Sequence, residues 1–252
     1  MRVLVVGDIH GRWQLVNEAF NMFLEEKYDK IIFTGDIYDS FERTDEDMMR
    51  CAHILNAMLS TYPDQVIVLI GNHDEPYLRY NPEHYRCAGF RPLLHAKVHP
   101  LLSPMKKYYQ YAYGIGNYLF THAGLQYKWF SKHFEVLQEC ADLMGLDITN
   151  ESHIWQILDG VARTADAGIW KEVGPRRKGM DSDFGSPMWC DLDEMIQQGP
   201  YPGLHQVCGH THLPHIYKFD RFEDNKKYRD TSVTYVDVLS YRTQFLTLHI
   251  NE

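Results

Sequence analysis

Three times in the first 74 residues an apolar, largely β-branched run stops at a glycine and is followed at once by a residue that can bind a metal or a proton. Val3–Val6 leads into Gly7-Asp8-Ile9-His10-Gly11, Lys30–Thr34 into Gly35-Asp36-Ile37-Tyr38-Asp39, and Gln65–Ile70 into Gly71-Asn72-His73-Asp74. Short runs without polar alternation suit strands covered on both faces. The intervening Trp13–Glu26 carries Leu15, Val16, Ala19, Phe20 and Phe23 at helical spacing, and Asp45–Leu59 reads as a second helix with acids in its first turn. Strand–helix–strand succession predicts an α/β fold with a largely parallel sheet. Parallel strands deliver their carboxyl ends to one edge, which is where ligands bind in such sheets.

The pattern returns further along. Lys107–Tyr113 and Asn117–Thr121 flank Gly114-Ile115-Gly116 as a hairpin, and the second of them ends in Thr121-His122-Ala123-Gly124. Leu204–Cys208 ends in Gly209-His210-Thr211-His212. Between these, Lys128–Met144 and Glu151–Arg163 read as helices and 164–188 as an exposed loop, so 128–198 is expected to be a helical and loop insertion or lid within one domain spanning 1–252. Residues 75–107 hold Pro76, Pro82, Pro92, Pro100 and Pro104, which should break any long helix. The tail predicts strands at Ile216–Phe219, Thr231–Leu239 and Gln244–Ile250, with a charged turn over Asp220–Asp230.

Five strand ends thus supply Asp8, His10, Asp36, Asn72, His122, His210 and His212. Each alone has an ordinary explanation as a turn residue or helix cap. Together they form a mixed carboxylate, imidazole and amide donor set. Such a set suits Mn, Fe(II) or Zn better than an all-oxygen Mg or Ca cage. Seven donors exceed one tetrahedral zinc and match two ions sharing a carboxylate. Asp74 fits either a helix cap or support behind the ligands.

Charge and cysteine usage narrow the partners. With 25 Lys and Arg against 34 Asp and Glu the formal charge is −9, which argues against a nucleic-acid polymer. Five scattered cysteines without a C-x-x-C pair predict neither a disulfide framework nor a thiolate zinc site. No apolar run reaches membrane-span length. Cleavage of a signal would remove Asp8 and His10, so a cytoplasmic location is expected.

The ordered blocks Gly-Asp-Ile-His-Gly, Gly-Asp-Ile-Tyr-Asp, Gly-Asn-His-Asp, Thr-His-Ala-Gly and Gly-His-Thr-His resemble the calcineurin-like metallophosphoesterase superfamily. Within it they are similar to the serine/threonine phosphoprotein phosphatases, including bacterial and phage types, and to the symmetrical diadenosine tetraphosphatases. The resemblance implies a four-layer α/β/β/α sandwich. It implies one divalent ion on Asp8, His10 and Asp36 with His212 as a further ligand, and a second on Asp36, Asn72, His122 and His210. Manganese would be the leading cofactor, with iron or zinc as alternatives. A hydroxide bridging the ions would attack phosphorus, His73 would act as general acid, and Asp39 would orient and charge it.

The implied activity is hydrolysis of a phosphomonoester, on a phosphoprotein or a small phosphoester. The alternatives are a dinucleoside polyphosphate or cyclic phosphodiester substrate, or a non-catalytic binding scaffold of the same fold. Two features depart from the phosphoprotein phosphatases. Ser40 stands where they usually carry Arg, and Asp74 where they carry Glu. Arg43, Arg79, Arg86, Arg163, Arg176 and Arg177 are the candidates for a phosphate clamp, and Ser186–Asp191 is similar to the family's Trp-containing block.

Overall fold

A computed structural model describes residues 1–164, 167–180, 182–220 and 228–251. The first strand, β1 (Arg2–Val6), is followed by helix α1 (Trp13–Glu25), strand β2 (Lys30–Phe33), helix α2 (Asp45–Thr61) and strand β3 (Val66–Leu69). Helix α1 buries Val16, Ala19 and Phe23, the face its spacing predicts. Helix α2 starts on a capping box: Thr44 Oγ1 accepts from Asp47 N at 3.2 Å, and Asp47 Oδ2 accepts from Thr44 N at 3.1 Å.

The next stretch departs from expectation. After the single turn α3 (Glu75–Leu78), an eleven-residue helix α4 (Pro92–Leu102) forms despite its prolines. Pro92 occupies the first turn, where its missing N–H costs nothing, and Pro100 lies in the last turn, where it forfeits a single N–H bond and the helix ends soon after. The expected strand over 107–113 is divided. Strand β4 (Tyr109–Gln110) pairs with β3, and β5 (Ala112–Ile115) belongs to another sheet. At the change-over Tyr111 N leaves the ladder and donates to Asp159 Oδ1 at 2.7 Å. Strand β6 (Tyr118–Thr121) closes the hairpin with β5, its turn at Gly116-Asn117.

The expected helix 128–144 is two helices, α5 (Tyr127–Lys132) and α6 (Phe134–Met144), broken at His133, whose ring is held by Glu172 at 2.8 Å. Helices α7 (Ile154–Ala162) and α8 (Leu192–Gln198) precede β7 (His205–Cys208), β8 (Tyr217–Phe219), β9 (Ser232–Tyr235) and β10 (Leu246–His249). Most of the expected charged turn 220–230 lies outside the described residues. Since β6 and β7 are adjacent parallel strands, everything from 122 to 204 is the crossover between them. Its Trp129, Leu137, Ile157 and Leu158 are buried in the same apolar cluster as Leu4 and Val6.

Two five-stranded sheets result, ordered β10-β1-β2-β3-β4 and β5-β6-β7-β9-β8. In the first, β1 to β4 are parallel and β10 is antiparallel; in the second, β6, β7 and β9 are parallel between antiparallel edges. Alternation along β1 separates the layers. Val3 and Val5 pack with Ile32, Leu69, Phe120 and Val207 between the sheets, while Leu4 and Val6 pack outward with Val16, Phe23 and Leu55 beneath α1 and α2. Full burial of each such side chain contributes about 1.5–3 kcal/mol relative to exposure. Helix, sheet, sheet, helix is the four-layer arrangement of the metallophosphoesterase fold. The parallel strands β1, β2, β3, β6, β7 and β9, with the short β4, therefore end at a common edge. Among the described residues no helix is long and apolar enough to cross a membrane.

Candidate metal centre

The loops leaving the parallel strands are forced into unusual backbone conformations. His10, Asp36 and His210 have φ of 46°, 53° and 65°, the left-handed region that costs a side-chain-bearing residue about 1–2 kcal/mol. Strain of this kind collects at sites where it aims a side chain. The glycines that precede His210 and Asn72 have a steric reason. A Cβ on Gly209 would lie 2.0 Å from Asp8 Oδ1, and one on Gly71 would lie 2.1 Å from Asp36 Oδ1. Strand ends approach so closely that only hydrogen fits between one loop and the carboxylate of its neighbour.

Two groups of donors converge. The donor atoms of Asp8, His10 and Asp36 all lie within 4.8 Å of one another, and so do those of Asp36, His122 and His210. Asp36 is common to both. Its Oδ2 is 3.8 Å from His10 Nε2 and 3.5 Å from His122 Nε2. Asn72 Oδ1 lies 3.0 Å from His122 Nε2, and His210 Nδ1 lies 3.1 Å from the same nitrogen. The imidazoles are oriented from behind. His122 Nδ1 faces the Thr34 carbonyl at 2.8 Å and His10 Nδ1 the Asp39 carbonyl at 2.8 Å. Donation of Nδ1–H to these carbonyls leaves Nε2 with its lone pair toward the centre. His210 Nε2 is buried with no hydrogen-bond partner among the described residues.

The electrostatics call for cations. Burial pushes the Asp8 carboxyl well above its ordinary range, and Asp237 and Asp36 push it further. Burial would also raise Asp36, but His122, His73 and His10 outweigh it and hold this carboxyl well below the usual range. Burial lowers His10 to about 4, despite Asp36, and also lowers His210 well below the ordinary imidazole range, helped by His122 and Arg177. Both rings are therefore neutral at neutral pH, the form that ligates. Crowded carboxylates, neutral imidazoles and an amide oxygen are a donor set that divalent ions fit.

His73 stands beside this cluster. Its backbone N–H donates to Asp36 Oδ1 at 2.9 Å, and its Nδ1 lies 3.0 Å from Asp39 Oδ2 and 3.4 Å from Cys87 Sγ. Burial opposes a charge on this ring, yet Asp36 and the Asp39 hydrogen bond prevail and its pKa is pushed up to about 12. Asp74 supports the loops: its Oδ1 accepts from Ile37 N at 2.7 Å and Tyr38 N at 3.0 Å, and its Oδ2 from Gly71 N at 3.0 Å.

His212 is set apart from the converging donors. It is half exposed, its Nε2 is 3.2 Å from Asp237 Oδ2, and its ring stands 6.1 Å from that of His10. Asp237 itself escaped the sequence reading. It is fully buried just past β9, and an acid inside the apolar run Thr231–Leu239 at a strand's carboxyl end was the available signal.

A cavity of about 520 Å³ opens over His10, Asp36, Asn72, His73 and His210. Ser40 lines it without contributing charge, its Oγ accepting from Glu42 N and Arg43 N at 3.1 and 3.2 Å. Cations come instead from Arg12, Arg43 and Arg177. Arg177 is fixed by Asp191 at 2.7 Å and by Thr211 Oγ1 at 3.0 Å, so the Trp189–Asp191 block folds back onto the site. Arg12, absent from the sequence candidates, donates to the carbonyls of Asp8 and Ile9 at 2.8 and 2.7 Å. Of the remaining candidates, Arg163 and Arg176 pair with Asp159 and Asp193. Arg79 and Arg86 line a second cavity of about 180 Å³ that meets the first at Asn72 and Trp189.

A family model described as calcineurin-like phosphoesterase matches residues 1–214. No curated protein matches the chain. Among solved structures it is similar to a protein serine/threonine phosphatase from Saccharomyces cerevisiae with similarity to human phosphatase PP5, at 15% identity and TM-score 0.43 over 93% of this chain and 67% of that one. It is similar to a dimetal phosphatase from Danio rerio at 13% identity and TM-score 0.40, over 98% and 91%. Yfce, a phosphoesterase from E. coli, matches at 14% identity and TM-score 0.29, over 49% and 58%.

Proposed function

The chain belongs to the calcineurin-like phosphoesterase family and is a metallophosphoesterase, and from that premise we propose that it is a phosphomonoesterase of the phosphoprotein-phosphatase type. The observation that carries this reading is Asp36, a buried carboxylate common to two donor groups. The family is dinuclear. Asp8, His10 and Asp36, with His212 at the rim, would hold one divalent ion; Asp36, Asn72, His122 and His210 would hold the other. Two such ions supply a nucleophilic water of lowered pKa and neutralise charge on the phosphoryl oxygens. Manganese is the ion that this mixed donor set suits first.

The chain's own groups do the rest. Arg12, Arg43 and Arg177 line the cavity and draw in the phosphoryl dianion, replacing the cation that Ser40 lacks. His73 is protonated at neutral pH, with Nδ1–H given to Asp39. The proton left to give is on Nε2. Transfer of that proton to a departing serine or threonine alkoxide relieves the charge that makes it a poor leaving group. Afterwards the neutral ring keeps Nδ1–H on Asp39 and is ready to recharge from solvent.

We take residues 1–252 as one such domain, with 128–198 as its helical insertion. Five free cysteines accord with a reducing, cytoplasmic setting. A nucleotide substrate is the second reading, favoured by one observation: the adjoining cavity at Asn72 carries Arg79, Arg86 and Lys171, cations that could take up further phosphates.

A substrate panel with Mn(II) tests both readings. It comprises p-nitrophenyl phosphate, its bis-ester, phosphoserine and phosphothreonine peptides, and diadenosine tetraphosphate. The expected result is turnover of the monoester and the peptides. Turnover confined to the tetraphosphate or the bis-ester favours the second reading, and no turnover by a protein holding two ions overturns both.

A further inference from the structure

We propose that Asp39, His73 and Cys87 form a separate zinc site whose occupation disables the general acid. Cys87 has no part in the chemistry above, and the inference rests on the reading of His73 as the proton donor. The three donor atoms lie within 4.8 Å of one another. His73 Nδ1 is central, 3.0 Å from Asp39 Oδ2 and 3.4 Å from Cys87 Sγ. Bond lengths of about 2.0–2.1 Å to nitrogen or oxygen and about 2.3 Å to sulfur give tetrahedral N···O and N···S edges of roughly 3.4 and 3.6 Å. Both edges at His73 Nδ1 are therefore within a few tenths of an ångström of what the ion needs.

A second observation points the same way. Asp39 is 1% exposed, yet its Oδ1 has no hydrogen-bond partner among the described residues. The carboxylate is under-satisfied for its burial, and a cation would offset that. Cys87 is held in place by a turn, Phe90 N donating to Cys87 O at 3.2 Å, and besides His73 Nδ1 its thiol contacts Asn72 O at 3.5 Å. Gly89 passes so close that a Cβ there would lie 2.9 Å from Asp39 Oδ2.

Thiolate, imidazole and carboxylate together select zinc over manganese, which prefers oxygen. The protons balance. The ion displaces one from the Cys87 thiol and one from His73 Nδ1, and both go to solvent. The imidazolium becomes a neutral ring with its one proton on Nε2 and the ion on Nδ1. Asp39 is no longer free to stabilise a positive ring. Such a ring is a far weaker acid, so zinc inhibition should follow the leaving group: severe for alkyl phosphates and slight for p-nitrophenyl phosphate.

Cobalt(II) added to the Mn-loaded protein tests the site without reference to activity. The dinuclear donor set contains no sulfur, so a thiolate-to-cobalt charge-transfer band in the near ultraviolet reports on Cys87. The band should appear in wild type, be abolished by zinc, and be missing from Cys87→Ser and Cys87→Ala. In parallel, zinc should slow phosphoserine-peptide turnover by roughly 10²-fold, the low end of what a general acid contributes. Neither Cys87 variant, compared with its own zinc-free rate, should show that loss. Absence of the band, or equal zinc inhibition in wild type and variants, overturns the site. A band without inhibition overturns the switching role and faults the assignment of His73 rather than the zinc site.

Discussion

Gly209→Ala probes how the two donor groups are held together. The new methyl carbon would sit 2.0 Å from Asp8 Oδ1 and 2.7 Å from Thr34 Oγ1, whereas ordinary contact begins at 3.4 Å. Asp8 Oδ1 must then retreat by 1.4 Å to restore contact distance. Metal–ligand distances tolerate only about 0.2 Å. The displacement also pulls on Asp8 Oδ2, which accepts from His210 N at 3.0 Å, so it reaches the second donor group as well. Manganese affinity should fall by roughly 10–100-fold, and turnover at limiting metal should fall with it. Overpacking should cost about 1–3 kcal/mol of stability.

Gly116→Ala separates these effects. That glycine has φ +57°, and a methyl added there would meet nothing within 4 Å, so alanine should cost a similar ~1–2 kcal/mol through backbone strain alone. Calorimetric titration with Mn(II), alongside thermal unfolding of the metal-free proteins, reads both quantities. Loss of metal affinity in Gly209→Ala but not in Gly116→Ala is the expected outcome. Unchanged binding of two ions by Gly209→Ala refutes the packing argument.

Other substitutions divide the roles. His73→Ala should keep both metals by elemental analysis and lose roughly 10²–10⁴-fold in kcat on alkyl phosphates, with little loss on p-nitrophenyl phosphate; loss of metal would contradict the assignment. Asp39→Asn removes a hydrogen bond that helps push the His73 pKa up to about 12. The acid form exists below that pKa and is lost as pH rises through it, so the alkaline limb of the kcat profile should move to lower pH by on the order of one unit. An unmoved limb would show that Asp39 does not act through His73. Arg177→Gln should raise KM for phosphomonoesters by roughly 10–100-fold, the worth of a charge-assisted hydrogen bond at about 1.5–3 kcal/mol, with a smaller change in kcat. An unaltered KM would remove Arg177 from the clamp.

What the sequence disclosed and what it withheld have a common physical cause. A buried strand ending in glycine and a donor is a local signature, because the donor's approach to the neighbouring strand requires the glycine. Asp8, Asp36, Asn72 and His210 could therefore be read from the chain, His10 and His122 share the same strand-end loops, and the six are brought together. His212 shares the Gly-His-Thr-His motif, but two residues beyond His210 it reaches the rim beside Asp237 rather than the converging donors. Asp237 and Arg12 lie in strand-end loops, Asp237 without a glycine directly before it and Arg12 as a cation rather than a metal donor, while Cys87 arrives by tertiary packing and carries no such local mark. The phosphate clamp was hidden for the same reason: Arg177 lies in a loop far from any ligand and is aimed by Asp191 and Thr211.

Fold errors follow the same rule. Period alone cannot show that the chain changes sheets at Tyr111, where a side chain of α7 takes over the backbone bond. Nor can it show that Pro100 falls in a last turn that tolerates it.

The sharing of Asp36 between two ions is the central claim, and electron paramagnetic resonance of the Mn(II)-loaded protein tests it most directly. Wild type should hold two ions per chain with the multiline signature of an exchange-coupled pair, and Asp36→Asn should lose that coupling. One ion per chain, or two uncoupled ions in the wild type, would contradict it.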